Sequence, residues 1–205
     1  LRDELPAVET LAGVDVADPG AVDAAFLELD HRLGGLDVLI NNAGISRRRS
    51  FLEISLAEWE EVVRVNLTGA FCVAQHAARR MLKDGGGVII NMASTNGMRG
   101  YPMYAHYNAS KAGVIALTQT MALELAPDIR VLAIAPGYVL TPMQRTEYSP
   151  EKLAALNDKV PLGRQAEPVE VAALFAFLAS DEAGFISGHP FVIDGGEIAG
   201  GLASG

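Results

Sequence analysis

Apolar positions along this chain alternate between two rhythms. Short apolar runs bounded by turn residues read as strands, and longer stretches with apolar residues every three or four positions read as helices. Thr10-Leu-Ala-Gly-Val-Asp15 reads as a short strand, followed by a helix from about Pro19 to Leu33. Leu36-Asp-Val-Leu-Ile-Asn41 is a nearly unbroken apolar run, which suits a strand buried on both faces. Ser55 is an expected N-cap with Glu58 as its capping-box partner, opening one long helix through Trp59, Val62 and Val65 towards Leu82. Gly85-Gly-Gly87 breaks it before a strand over Val88–Met92. A helix over Tyr104–Leu125 stops at Pro127, and a strand over Ile129–Ala135 ends at the turn Pro136-Gly137. Ser149-Pro150-Glu151 looks like a helix start. A last helix, Pro168–Leu178, precedes the strand Pro190–Ile193 and Asp194-Gly-Gly196.

Repeated strand–helix units predict the α/β class: a doubly wound parallel sheet, Rossmann-like, with helices on both faces. Ligands in such sheets bind beyond the carboxyl ends of the strands. Asn42-Ala43-Gly44, Ser94 and Pro136-Gly137 each follow a predicted strand directly, so they point to one rim.

Composition narrows the reading further. With 205 residues, half of them hydrophobic, the chain has material for one well-buried core, and residues 1–205 are read as one domain. No linker, repeat or low-complexity run divides it. No apolar stretch reaches membrane-spanning length, and no signal-peptide pattern is visible. A net charge of −9 argues against a nucleic-acid partner. The single cysteine, Cys72, excludes an internal disulfide framework and is expected to be a small core filler. His31, His76, His106 and His189 have no ligand spacing, so no metal site is expected. A cytoplasmic protein follows.

Tyr107-Asn-Ala-Ser-Lys111 carries the clearest chemistry. Residues four apart share a helical face, so the Lys111 ammonium can stand beside the Tyr107 hydroxyl and favour its ionised form. A phenol titrating near ~10 needs roughly 4 kcal/mol of help to act as a base near neutrality. One cation about 4 Å away at an effective dielectric of ~20 supplies about that much. Tyr104 is a decoy, since its i+4 partner is Asn108. Asn66 lies mid-helix in Val65-Asn-Leu-Thr-Gly69, an odd place for a residue that prefers caps and turns.

Asn41-Asn-Ala-Gly44, Asn66, Ser94, Tyr107, Lys111 and Pro136-Gly-Tyr-Val-Leu-Thr141, in that order and spacing, resemble the short-chain dehydrogenase/reductase family in its compact single-domain form. The resemblance covers nearly all of the chain. It implies that Tyr107 is the general acid/base, that Lys111 supports it and holds the nicotinamide ribose, and that Ser94 orients the substrate oxygen. Asn66 would hold a water linking Lys111 to solvent. NAD or NADP would be the cofactor. Asp15 with Val16 would lie at adenine, Asn42, Ala43 and Gly44 at the adenosine ribose, with Val65 also on the cofactor side. Pro136, Gly137 and Val139 would meet the carboxamide, and Thr141 the carboxamide or pyrophosphate. Tyr138, Met143 and Tyr148 fall in the region that covers substrate.

The resemblance also implies a homotetramer, or a dimer, with Trp59–Leu82 and Tyr104–Leu125 packing across a two-fold axis and the segment from Phe191 to Gly205 at a second interface. The family's glycine-rich pyrophosphate turn has no counterpart in the sequence, so at least one βαβ unit, roughly 30 residues, is expected to be missing. In the strand order 3-2-1-4-5-6 that loss leaves Leu36–Asn41 as an exposed edge. The expected activity interconverts a secondary alcohol or sugar hemiacetal with its carbonyl. A 3-oxoacyl thioester reductase is the competing substrate class, although Ile45-Ser-Arg-Arg-Arg49 is not a close match to acyl-carrier reductases. Arg47-Arg-Arg49 reads more readily as a solvated loop than as an anion site. A catalytically silent fragment serving as a subunit is the competing reading from another class.

Overall fold

The computed structural model describes residues 10–200. Its aliphatic runs form β1 (Val38–Asn41), β2 (Gly87–Met92), β3 (Ile129–Pro136) and β4 (Pro190–Ile193), hydrogen-bonded in the order β1-β2-β3-β4. All three pairings are parallel; Ile40 stands opposite Ile90, Ile90 opposite Leu132, and Ile134 opposite Phe191. Parallel neighbours require crossovers, and helices supply them. These are α1 (Pro19–Arg32), α2 (Leu56–Val63), α3 (Gly69–Asp84), α4 (Ala105–Glu124), α5 (Pro142–Glu147), α6 (Pro150–Leu156) and α7 (Pro168–Ala179).

Alternation along the strands divides the core into two layers. Ile89 and Val131 face Ala74, Ala77, Met81 and Ala122 on α3 and α4, with Phe26 of α1 packed behind. Val88, Ile90, Leu132 and Ile134 face Val171, Phe175 and Leu178 on α7. The Ser55–Glu58 capping box opens α2 as expected, and Asp18, not singled out from the sequence, caps α1 ahead of Pro19. Gly85, at φ +103°, ends α3 in the left-handed conformation that glycine adopts most cheaply.

Three expectations change. Residues 10–15 form no strand; the outer edge of β1 has no paired strand among the described residues, and Asp15 instead turns the chain into α1, accepting from the Ala17 N–H at 2.9 Å. The apolar run of β1 is not buried on both faces: Val38 is 37 % and Ile40 46 % exposed, as befits an edge. The single long helix after Ser55 is interrupted by a π-helical turn, Arg64–Thr68, that splits it into α2 and α3. Such turns recur at functional sites, and this one carries Asn66.

Candidate active site

Tyr107 falls in the first turn of α4 and Lys111 one turn later, so the helix repeat alone puts both on one face. The Lys111 ammonium lies 5.7 Å from the centre of the Tyr107 ring and donates to the Met92 carbonyl at 2.7 Å, tying α4 to the carboxyl end of β2. It is almost completely buried, and burial pushes its pKa down from 10.5 to about 8. Beside it His106 is wholly buried; its Nδ1 accepts from the Tyr107 N–H at 2.9 Å, holding one of the unpaired amides that open α4. Ser94 follows β2 and caps the short 3₁₀ turn Thr95–Gly97 by accepting from the Asn96 N–H at 3.2 Å. Gly97 permits that turn to press on α4, since a Cβ there would stand 2.7 Å from the carbonyl carbon and oxygen of Lys111.

Asn66 braces the loop after β1. Its Oδ1 accepts from the Ile45 N–H at 2.8 Å, and its Nδ2 donates to the Ile45 carbonyl at 2.9 Å and the Ser110 hydroxyl at 3.1 Å. The π-helical turn presents this side chain inward, where the amide replaces a missing sheet partner for Ile45. Gly44 lies against the same group: a Cβ there would be 3.2 Å from Asn66 Oδ1 and 3.6 Å from the Lys111 ammonium. Behind the site, Asn41 donates to Asn91 Oδ1, and Asn91 to the Thr118 hydroxyl, each at 3.0 Å. This chain of amides locks β1, β2 and α4 together.

A cavity of about 910 Å³ opens at the carboxyl ends of the strands. It brings together ten expected residues, Asn42, Ala43, Gly44, Ser94, Tyr107, Lys111, Pro136, Gly137, Val139 and Thr141. Thr141 also caps α5, accepting from the Gln144 N–H at 3.4 Å. Asn66 stands one layer behind the cavity, in contact with its Gly44 wall. Three expected residues lie outside the lining. Asp15 is exposed and 3.9 Å from Arg64; Val16 packs against the backbone of Gly69; Val65 remains on the π-helical turn. The nicotinamide end of a dinucleotide suits this cavity: apolar wall from Ala43, Pro136 and Val139 adjoins the polar groups of Asn42, Ser94, Thr141 and the buried Lys111 ammonium. No glycine-rich phosphate turn occurs among the described residues.

A smaller, polar cavity of about 100 Å³ adjoins the first and shares Ser94, Tyr107, Gly137 and Gln144 with it. Tyr138 and Tyr148 line it, as the covering region implied; Met143, also expected there, has a side chain outside the described set. Tyr104 is more than a decoy, because its hydroxyl meets that of Tyr148 across the cavity mouth. Gln144, Tyr101 and Glu197 were not anticipated. Glu197 stands one residue past Asp194-Gly-Gly196, and an acid that close to the end of the last strand was the available signal. Arg47 and Arg49 are paired with Glu61 and Glu58 on α2, so the solvated-loop reading fits them. Among the described residues no cluster of three or more His, Cys, Asp or Glu side chains could hold a metal, and no helix is long and apolar enough to cross a membrane.

A family model described as enoyl-(acyl carrier protein) reductase matches residues 1–197. The 3-oxoacyl-(acyl-carrier-protein) reductase of Thermotoga maritima is 43 % identical over 188 residues, covering 90 % of this chain and 75 % of that protein. A short-chain type dehydrogenase/reductase from Mycobacterium marinum superposes with a TM-score of 0.89 at 37 % identity, over 97 % of this chain and 80 % of the other. A gluconate 5-dehydrogenase from Burkholderia cenocepacia, solved with NADP and tartrate, superposes with a TM-score of 0.86 at 36 % identity, over 91 % and 74 %.

Proposed function

We propose, since the chain belongs to the short-chain dehydrogenase/reductase family and is an NAD(P)-dependent oxidoreductase, that Tyr107 is its general acid/base for interconverting a secondary alcohol or sugar hemiacetal with the carbonyl. The observation that carries this is the common wall of the two cavities. Ser94 and Tyr107 line both, and the buried Lys111 ammonium lies beneath the Tyr107 ring. NAD or NADP, when bound, accepts or supplies the hydride. In the reducing direction the Tyr107 phenol gives its proton to the substrate oxygen, and Lys111 stabilises the phenolate left behind. The Ser94 hydroxyl donates to the same oxygen and holds it in place as charge develops. In the oxidising direction the phenolate takes the alcohol proton. Gly44, Gly137, Val139 and Lys111 would hold the nicotinamide and its ribose, with Asn42, Ala43, Pro136 and Thr141 around them. Asn66 keeps Gly44 and Ile45 in position, and beside Lys111 it is placed to order a water for proton return. Asp15, Val16 and Val65 are kept as adenine-side residues only.

The test is Tyr107→Phe, which retains the ring and removes the proton. Turnover should fall by roughly 10²–10⁴-fold with the melting curve preserved; a variant within tenfold of the parent would refute the assignment. A 3-oxoacyl thioester reductase is the second substrate reading, supported by the 43 % identity to the Thermotoga protein. The reading also includes one domain, a cytoplasmic location and a homo-oligomer, tetramer or dimer. The exposed Leu123, Leu162 and Phe185 are apolar surface such an assembly would cover.

A further inference from the structure

We propose that Glu197, with Gln144 in the wall of the same cavity, selects a neutral polyhydroxylated substrate, a polyol or sugar, by accepting hydrogen bonds from hydroxyl groups remote from the reacting carbon. This rests on the reading of Tyr107 and Ser94 just given and adds the substrate class. It begins from two buried oxygens in the wall of the small cavity, Glu197 Oε2 and Gln144 Oε1, neither of which has a partner among the described residues. A carboxylate oxygen and an amide oxygen both accept, and a buried acceptor left without a donor is costly. A ligand completing this cavity therefore brings donors.

The carboxylate is held by its surroundings. Asp194 accepts from the Gly196 N–H at 2.9 Å and the Ile198 N–H at 2.8 Å, closing a turn around Glu197. Tyr101 donates to Glu197 Oε1 at 2.7 Å, which fixes the rotation of the group and leaves Oε2 uncommitted. Oε2 lies against Gly137, where an added Cβ would be 2.4 Å away. Gly137 lines both cavities, so Oε2 sits at the junction of the substrate side with the cofactor side.

The competing ligand classes fit less well. An acyl chain has no donors for these oxygens. A sugar acid would set a second carboxylate against Glu197, while Arg47 and Arg49 are already paired with acids. An ammonium-bearing alcohol would supply donors. Burial pushes the Glu197 pKa up, with Tyr101 and Lys159 opposing and Asp194 adding to it, and the amino alcohols in the assay separate this class from neutral polyols.

The experiment compares kcat/KM for tetritols, pentitols and aldohexoses with that for matched mono-alcohols, aldonates, amino alcohols and an acetoacetyl thioester. The enzyme is assayed with NAD or NADP as the parent, Glu197→Gln and Glu197→Leu. Polyols or aldoses should be preferred by the parent. In Glu197→Leu the ratio of polyol to mono-alcohol kcat/KM should fall by roughly 10–100-fold, mostly through KM. Glu197→Gln, whose amide oxygen still accepts, should retain more of it. A parent preferring aldonate, amino alcohol or thioester overturns the proposal, and so does an unchanged ratio in a Glu197→Leu enzyme that melts normally. Should Glu197→Leu fail to fold, Gln144→Leu, which removes the other unpartnered acceptor, is measured in its place: the ratio should fall in the same direction, and an unchanged ratio overturns the proposal. If Tyr107→Phe is inactive while the Glu197 ratios stay flat, only this inference falls; if Tyr107→Phe remains active, the reading beneath it falls.

Discussion

Replacing Lys111 with methionine should separate the cost of the site from its benefit. Burial lowers the Lys111 pKa from 10.5 to about 8, so folding takes up an unfavourable buried charge. A lowering of that size corresponds to about 3 kcal/mol. The folded-state value lies below the unfolded one, so the sign is opposite to that of a lysine gaining an acidic partner. Below pH 8 both states hold the proton and the full cost applies. Between 8 and 10.5 the folded state loses the proton first, and the cost fades with rising pH. About 2 kcal/mol of it is regained between pH 6.5 and 9.5. Methionine fills a similar volume with no charge. It abandons the Met92 carbonyl, which costs about 1–3 kcal/mol at every pH. Lys111→Met should therefore be about as stable as the parent near neutrality and lose ground to it by about 2 kcal/mol by pH 9.5.

Urea melts of both proteins from pH 6.5 to 9.5 read that difference directly. Burial also raises the pKa of Tyr101 and Tyr138, the latter to about 12, but both residues occur in parent and variant and cancel. The catalytic loss follows from the same distance. A positive charge 5.7 Å from the ring over which a tyrosinate spreads its charge contributes about 3 kcal/mol at an effective dielectric of ~20. Turnover near neutrality should fall about 100-fold. A pH-independent stability difference would show that Lys111 is not a buried titrating cation, and a tenfold or smaller rate loss would show that its charge does not support Tyr107.

Thr118→Val leaves an Asn91 Nδ2 hydrogen buried without an acceptor, which should cost about 1–3 kcal/mol; an unchanged thermal midpoint would contradict the bracing role of the amide chain. Gly97→Ala sets a methyl group 2.7 Å from backbone atoms of Lys111, so α4 must retreat, at about 1–3 kcal/mol of stability and a turnover loss of up to about 10²-fold. Normal melting and kinetics together would show that the helix yields freely. Leu123→Glu changes a residue that is 83 % exposed in the single chain. Its gel-filtration peak should move to a smaller species if α4 carries an interface, and an unmoved peak would remove α4 from the assembly.

What could be read from the sequence follows the range over which each feature is determined. The Tyr107–Lys111 pair was legible because helical spacing alone creates it, as were the Ser55–Glu58 cap and the four strands that formed. Residues 10–15 carried strand-like composition, but a strand exists only by pairing, and nothing among the described residues pairs there. The π-helical turn escaped notice because its hydrophobic pattern continues across it; the one local hint was an asparagine in a helix interior. Glu197 depended on convergence from afar. The Tyr101–Glu197 hydrogen bond joins residues 96 positions apart, and Gly137, from a third segment, leaves the room. The same division separates chemistry from selectivity. The groups proposed to react lie on α4 and at the end of β2, which helix repeat and sheet register place. The oxygens proposed to select substrate lie where the chain after β3 and the turn after β4 meet, which no short-range pattern specifies. If the proposed roles hold, substrate class follows side chains such as Glu197 and Gln144 more than the Tyr107–Lys111 pair.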